Sequence, residues 1–596
     1  MTDSVGAIVL AGGRGSRLGG ADKSGITIAG RPMLETVVGA VAAVVGPVVT
    51  VGPGGDTREE PAFSGPVAGI AAGLAALADR VDLVVVVACD LPDLDADTLR
   101  RLVAALDRPA ADSTGRPAAE PTGRPAAALA VDADGRDQYL LAVWHRRDLA
   151  SRLEALGRSG GLAGRPVRAL YDDEVVTRVT VGAPARDVDT WAEVAASGPI
   201  ALAHVRAVLR AGLTPLPTTA RPPLEAAGAV LAAPLVAADP MPREPVSAMD
   251  GYALACEGPW RLTGRARRAG DDSPAGLVAG TAAPIATGAL VPAGSDRVLR
   301  HELVEVTRDG SGPAVVTALP RAAGQNDLRP AGEDWAAGHE LADAGATLDP
   351  ALASAALSAG LTSVTVRGPV RAVVVTTGDE ILPAHTPSPL PPGRIRDTVG
   401  PLLVEVLGRA GLACSGPPGH CPDTAEAMDA VLTGRAGSAT SDADVVVLVG
   451  ATGRGVADHL RPALDRAGAT IVLDGVRVRP GGSQLVAALP DGRVLLGLPG
   501  NPLAAVSAAA TTGRALVDAL TGRSRPEVLV PVPGLDRAAA PGRTRILPAR
   551  PDGAGGWSLS ARVRTAHLAD LAGAPALAVV PEGAASGDLV EIIDWI

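Results

Sequence analysis

The stretch VGAIVLAGGRGSRLGGADK, Val5 to Lys23, decides how the first third of the chain is read. Six apolar or small residues, Val5 to Leu10, form a buried strand, and a glycine-rich turn follows at once. Glycines let backbone N–H groups come close to a polyphosphate and cradle it. A tight strand-to-helix turn needs glycines too, but it does not need Arg14, Arg17 and Lys23 on the same loop. Working outward, the pattern predicts a helix from Met33, a strand over Pro47 to Val51, a helix over Val67 to Ala78 and a wholly apolar strand over Leu83 to Ala88. Strands apolar throughout and separated by helices predict a parallel sheet covered on both faces, with ligands at the carboxyl ends of the strands. Asp90, in Ala88-Cys89-Asp90-Leu91-Pro92, ends the last of these strands in the same crevice, where a hard carboxylate can hold magnesium.

Lys23 is the only lysine among the 54 basic residues of the chain. Drift toward arginine would replace any lysine that arginine can imitate, so the survivor points to chemistry that wants a compact, freely rotating ammonium. Asparagine is nearly as scarce, with Asn326 and Asn501 alone.

At 596 residues the chain exceeds one hydrophobic core and predicts several domains. Hydrophobic content of 47% and charged content of 20% fit a globular protein without a membrane-spanning run. The start lacks a basic region followed by a long apolar stretch, and four cysteines form no disulfide framework, so a cytoplasmic location is expected. Cys414, His420 and Cys421 match no zinc spacing. A net charge of −11 argues against nucleic acid as a partner and leaves small anions, bound through local loops.

Thr114 to Ala127 carries TGRPAA twice and predicts a mobile insertion. A boundary is expected at Ala195 to Pro199, ahead of an amphipathic helix from Ile200. Short strands with Pro and Gly turns fill Pro215 to Val366. A second α/β unit begins at Val370 to Val375 and runs through Val445 to Val449 to about Leu520, and β-like runs occupy Arg525 to Ile596. Several acid- and glycine-bearing loops punctuate this half: Ser247 to Ala253 with Asp250; Asn326 to Asp334; Thr376-Thr377-Gly378-Asp379-Glu380; Gly450 to Asp458; and Leu498-Pro499-Gly500-Asn501-Pro502.

With these pieces in place, residues 1–195 resemble the molybdenum cofactor guanylyltransferase (MobA) family, through LAGGRGSRLGGADK, GRPML at Gly30, GPVAGIAAGL at Gly65 and the CDLP segment. The resemblance implies a Rossmann-like nucleotidyltransferase with magnesium at Asp90. GTP would be held by Leu10, Ala11, Gly12, Gly13, Gly15, Arg17, Lys23 and Asp90, with Lys23 and Asp90 catalytic. Asp187-Val188-Asp189-Thr190-Trp191 stands where the family has NxNTPE, which could leave a second carboxylate at the metal.

Residues 200–596 resemble the molybdopterin molybdenumtransferase (MoeA) family, which includes gephyrin-type proteins. That implies MoeA-like N-terminal and linker regions over 200–369, a molybdopterin-binding α/β domain over 370–521 and a small β domain over 522–596. It also implies binding of adenylylated molybdopterin and molybdate, adenylyl cleavage with a divalent metal, dimers through this half, and molybdoenzyme clients. The acids Asp250, Asp334, Glu380 and Asp458 take the catalytic positions. The pterin contacts fall on Thr377, Gly378, Gly450, Gly453, Gly455, Arg479, Pro480, Gly481, Pro499, Gly500 and Asn501. The chain departs from the family's pattern here: GGVSVGDYD appears as GATGRGVAD, KPGKP as Arg479-Pro480-Gly481-Gly482-Ser483, and DSN as Asp397-Thr398-Val399. The expected whole is an α/β multidomain, bifunctional transferase that makes the cofactor and then joins GMP to it. Two alternatives compete: a second half that only carries the cofactor for the first, and a first half that acts on sugar phosphates.

Overall fold

The computed structural model describes residues 4–12, 18, 21–106, 124–171, 176–271, 275–308, 310, 312–434, 440, 442–452, 459–553, 555–560 and 563–595. They fall into two units. One comprises Met1–Thr214, Arg371–Ala519 and Glu527–Ile596; the other comprises Pro215–Val370 and Leu520–Pro526.

The first unit opens with β1 (Val5–Leu10), α1 (Met33–Ala42), β2 (Val48–Val51), α2 (Pro66–Ala76), β3 (Leu83–Ala88) and α3 (Ala96–Ala105). Then come β4 (Ala127–Val131), β5 (Asp137–His145), α4 (Arg146–Arg158), β6 (Val176–Thr180), α5 (Trp191–Ala196) and α6 (Leu202–Gly212). The strands form one sheet in the order β2-β1-β3-β5-β4-β6. Alternation along β1 sends Ala7 and Val9 to the α1/α3 side, with Val37, Val41, Leu99 and Leu102. It sends Ile8 and Leu10 to the α2/α4 side, with Ile70, Trp144 and Leu153. Both faces are therefore covered, as the apolar strands require. The sheet is mixed, not parallel throughout. β1 runs parallel to β2 and β3, but β5 pairs antiparallel with both β3 and β4. The sequence before β5 supplies no crossover helix between β4 and β5, only the turn at Asp132 to Arg136, and a short turn can join only antiparallel neighbours. The predicted insertion lies mostly outside the described residues; the end of its second copy, Ala126 and Ala127, is buried and starts β4.

The same unit holds a second α/β sheet. Its strands are β7 (Val370–Thr377), β8 (Leu412–Cys414), β9 (Val445–Val449), β10 (Thr470–Asp474), β11 (Leu485–Ala488) and β12 (Val494–Leu498), in the order β8-β7-β9-β12-β11-β10. β7, β9 and β12 are parallel, so their carboxyl ends open on one crevice. Helix α7 (Gly400–Ala410) and the 20-residue helix Pro502–Thr521 belong here too. The latter is long and apolar enough to cross a membrane, but 94% of its apolar window is buried as a core helix. A small sheet built on Thr544–Pro551, Ala576–Val580 and Leu589–Asp594 completes the unit.

The second unit is rich in short strands, as its Pro and Gly turns foretell. A six-stranded sheet includes Gly251–Leu254, Thr281–Ile285 and Arg297–Arg300, and a separate three-stranded sheet includes Val364–Arg367.

Candidate functional sites

Lys23 opens a short helical turn after the glycine loop, and Asp22 caps it by accepting from Ser24 N at 3.0 Å. The Lys23 ammonium bridges two carboxylates. It lies 3.1 Å from Asp90 Oδ2 and donates a short hydrogen bond to Asp189 Oδ1. Asp90 stands just past β3, and Asp189 reaches it because Val188 N donates to Asp90 O at 3.0 Å. Asp189 is fixed in turn by the capping box of α5, where Glu193 Oε2 accepts from the backbone N of both Asp189 and Thr190 at 2.8 Å. Burial pushes the Asp90 carboxyl above its usual range, opposed by Lys23. Burial would lower the Lys23 ammonium, but Asp189 and Asp90 together outweigh it and hold it raised. The neighbouring Cys89 thiol is pushed up to about 12, by burial first and then by Asp90, so it stays protonated and inert.

At the carboxyl end of β1 a slot of about 210 Å³ is lined by Leu10, Gly12, Val51, Glu59, Phe63 and Gly65. Apart from Glu59 its lining is apolar or glycine, and the Glu59 carboxylate accepts from Phe63 N at 2.9 Å.

The crevice at the carboxyl ends of β7, β9 and β12 is a cavity of about 1090 Å³, lined by Thr377, Gly378, Glu380, Gly450, Gly500 and Asn501 among others. Gly450 adopts φ +111°, and a Cβ there would sit 2.9 Å from Thr377 O, so the two strand ends can meet only through a glycine. Asp423 ties the Thr377–Asp379 turn, accepting from Thr377 Oγ1 at 2.7 Å and from Asp379 N at 3.3 Å. Asp397 accepts from Gly400 N at 2.7 Å and Val399 N at 3.1 Å, which ties down the turn leading into α7. Glu380 lines the same cavity and is exposed.

A neighbouring cavity of about 460 Å³ shares Ala566 and His567 with the large one. It is lined by Arg479, Arg545, Arg564 and Thr565, with no carboxylate in its wall among the described residues. Arg545 Nη1 donates to Ala538 O at 2.7 Å. The Asp570 carboxylate accepts from Arg564 N at 2.7 Å, but among the described residues none of the three guanidinium groups makes an ion pair, which favours a compact oxyanion.

Residues 7–175 match the MobA-like NTP transferase domain, 200–360 the MoeA N-terminal region (domains I and II), and 373–519 a probable molybdopterin binding domain. The molybdopterin molybdenumtransferase of Synechococcus elongatus is 31% identical over 300 residues, which span 48% of this chain and 72% of that protein. The chain belongs to the molybdopterin molybdenumtransferase family. A second family member, molybdopterin molybdenumtransferase 2 of Mycobacterium tuberculosis, is 31% identical over 299 residues, or 48% of this chain and 71% of the relative. The crystal structure of the molybdopterin biosynthesis MoeA protein from Pyrococcus horikosii shares the fold at 22% identity with a TM-score of 0.50, covering 67% of this chain and 99% of that one. This molybdenumtransferase-family chain thus carries a MobA-like nucleotidyltransferase domain ahead of its MoeA-like part, and it is a transferase of molybdenum cofactor biosynthesis.

The sequence singled out Lys23 and Asp90, which are in contact, and Leu10, Ala11 and Gly12, which lie at the adjoining strand end. Gly13, Gly15, Arg17, Gly453, Gly455 and Asp458 lie outside the described residues. Thr377, Gly378, Glu380, Gly450, Gly500 and Asn501 line the large cavity, Arg479 and Pro480 the cationic one. Pro499 is buried just before that lining, and Gly481 packs under the Pro502 helix, where a Cβ would sit 2.9 Å from Ala504 O. Asp250 and Asp334 belong to the second unit, and no hydrogen bond or ion pair joins them among the described residues. Asp250 accepts from Thr287 N at 2.7 Å, and that backbone bond holds its carboxyl low; Asp334 pairs with Arg329 at 2.6 Å. Sequence reasoning missed Glu59, Asp423, Arg545 and Arg564. Each sits on a loop or strand without a motif, and only folding brings it to a cavity.

Proposed function

We propose that this chain performs two consecutive transfers. The MoeA-like part inserts molybdate into adenylylated molybdopterin, releasing AMP, and the MobA-like domain joins GMP from GTP to the phosphate of the resulting cofactor. The observation that carries the second step is the Lys23 ammonium held between Asp90 and Asp189. Two carboxylates that already converge on one cation suit magnesium, which when bound screens the triphosphate and leaves Lys23 free to neutralise it. A terminal phosphate oxygen of the cofactor attacks the α-phosphorus of GTP, the bond to the β-phosphate breaks, and pyrophosphate leaves with its charge met by Lys23. The apolar slot at the end of β1 suits a base, and the Glu59 carboxylate in its lining suits guanine, whose N1–H and amino group both donate. In the MoeA-like part, the large cavity suits a pterin, the adjoining arginine cavity suits molybdate, and Glu380 is the carboxylate available for metal-assisted cleavage of the phosphoanhydride.

Supplying the full chain with adenylylated molybdopterin, molybdate, magnesium and GTP tests both steps at once. AMP release should require molybdate, and pyrophosphate release should follow it and require GTP. AMP at background would make the MoeA-like part a carrier; pyrophosphate at background with added cofactor would refute the first-site reading.

A further inference from the structure

A fourth cavity, of about 480 Å³, lies where the chain passes from the MobA-like domain into the rest of the first unit. Ile200 N donates to Gly475 O at 3.2 Å and Arg477 N to Ile200 O at 2.7 Å, so the junction is stitched to the segment after β10. The wall of the cavity carries Arg461, Arg477 and Arg543; Asp474, also in the wall, is gripped by Arg461 at 2.5 and 3.0 Å, while Arg477 donates to Gly542 O and pairs with Glu582 at 3.4 Å. Arg543 is exposed and makes no ion pair among the described residues. Gln484 also lines the cavity, is 1% exposed, and donates through Nε2 to Gly481 O at 3.0 Å. Its Oε1 is buried without a hydrogen-bond partner, an acceptor that costs stability unless a donor reaches it. The cavity therefore asks for a ligand with an anionic group for the arginines and an N–H or O–H for Gln484.

Its neighbours narrow that class. Gly450 and Ala451 line the large cavity, while Thr452, the next residue, lines this one, so the two open on either side of one segment. On the opposite side Arg477 lies against Gly30, where a Cβ would sit 2.8 Å from its Nη2. Gly30 is the tip of the hairpin Thr27–Ile28 and Arg31–Pro32, seven residues after Lys23. Resting on the two-transfer reading above, we infer that this cavity holds the phosphorylated pterin between the two transfers, its phosphate on Arg477 and Arg543 and its ring N–H groups on Gln484. A volume of this size fits one such small molecule.

The test titrates the full chain with an oxidised, fluorescent pterin bearing a phosphate ester, and with its dephosphorylated counterpart. Arg543→Glu should weaken one class of sites for the phosphorylated probe at least tenfold and leave the dephosphorylated probe and GTP binding unchanged. Gln484→Met, which keeps volume but removes the acceptor, should weaken both pterin probes and spare inorganic phosphate. Wild-type affinity for the phosphorylated probe in both variants would overturn the assignment. Loss of GMP transfer with these probe results intact would instead refute the two-transfer reading and leave the cavity assigned.

Discussion

The two ends of the proposed reaction sequence handle negative charge with different side chains. The first site uses one lysine clamped by two carboxylates, whereas the cationic cavity of the MoeA-like part offers Arg479, Arg545 and Arg564 with no acid in its wall among the described residues. A guanidinium presents a rigid fork suited to holding an oxyanion of fixed shape, and an ammonium is a point charge that can follow a moving one. On the proposed reading the contrast separates a site that transfers a nucleotidyl group from one that seats an oxyanion. It also explains why a chain with a single lysine keeps it where it does.

The largest effect should come from the lysine itself. Lys23→Arg retains the charge but cannot sit between Asp90 and Asp189 with the same geometry, so GMP transfer should fall roughly a hundred- to a thousand-fold, as when one preorganised charge partner of a transition state is removed. Molybdate-dependent AMP release, measured on the same preparation, should not change. Full GMP transfer by Lys23→Arg would break the contrast outright.

Next comes Arg564→Ala in the cationic cavity. Loss of one charge-assisted contact, about 1.5–3 kcal/mol, should raise the molybdate concentration needed for half-maximal AMP release by roughly ten- to a hundred-fold. Arg564→Lys should restore only part of that if the fork matters, and all of it if charge alone does. GMP transfer onto cofactor supplied from outside should stay at the wild-type level in both variants.

Asp189→Asn sharpens the first half of the contrast. With one carboxylate left, manganese binding to the nucleotide-free chain, followed by electron paramagnetic resonance, should weaken roughly tenfold, the worth of one charged contact. An unchanged affinity would show that Asp189 serves Lys23 alone and that Asp90 holds the metal without it.

How much of this was legible beforehand follows from where each signal resides. Strands β1, β3 and β9 are wholly apolar runs ended by Gly or by Asp90, so periodicity and the adjacent turn located them and their carboxyl ends. Lys23 and Asp90 were legible because a scarce residue and a strand-end acid fell beside one crevice. The antiparallel entry of β5 was not, since an apolar strand carries no mark of its direction. Arg545 and Arg564 were hidden among 53 arginines, where rarity points nowhere. Glu59 needed the fold of the Gly52–Ser64 loop to bring it to the slot. Asp189 was suspected from its place in the chain, but its contact with Lys23 depends on Val188 pairing with Asp90, a bond that no local pattern announces.

The smallest effect concerns the joint between the two activities and not either site. His204, on α6, takes a 3.5 Å hydrogen bond from Thr27 N and packs against Trp191, with ring centroids 5.3 Å apart. Burial holds its pKa below the ordinary 6.5. A histidine kept neutral by folding binds fewer protons in the folded chain than in the unfolded one, so its contribution to stability is present above pH 6.5 and declines as pH falls below it. Thermal unfolding of the full chain should therefore shift down on acidification from that point, and His204→Gln, which keeps an acceptor for Thr27 but does not titrate, should flatten the decline. Because the Thr27 hairpin follows the Lys23 turn directly, the same substitution should leave the GMP-transfer rate at neutral pH unchanged and reduce its loss at mildly acidic pH. An identical acid profile in His204→Gln would place the joint's strength in Arg477 and Gly30 and not in the histidine.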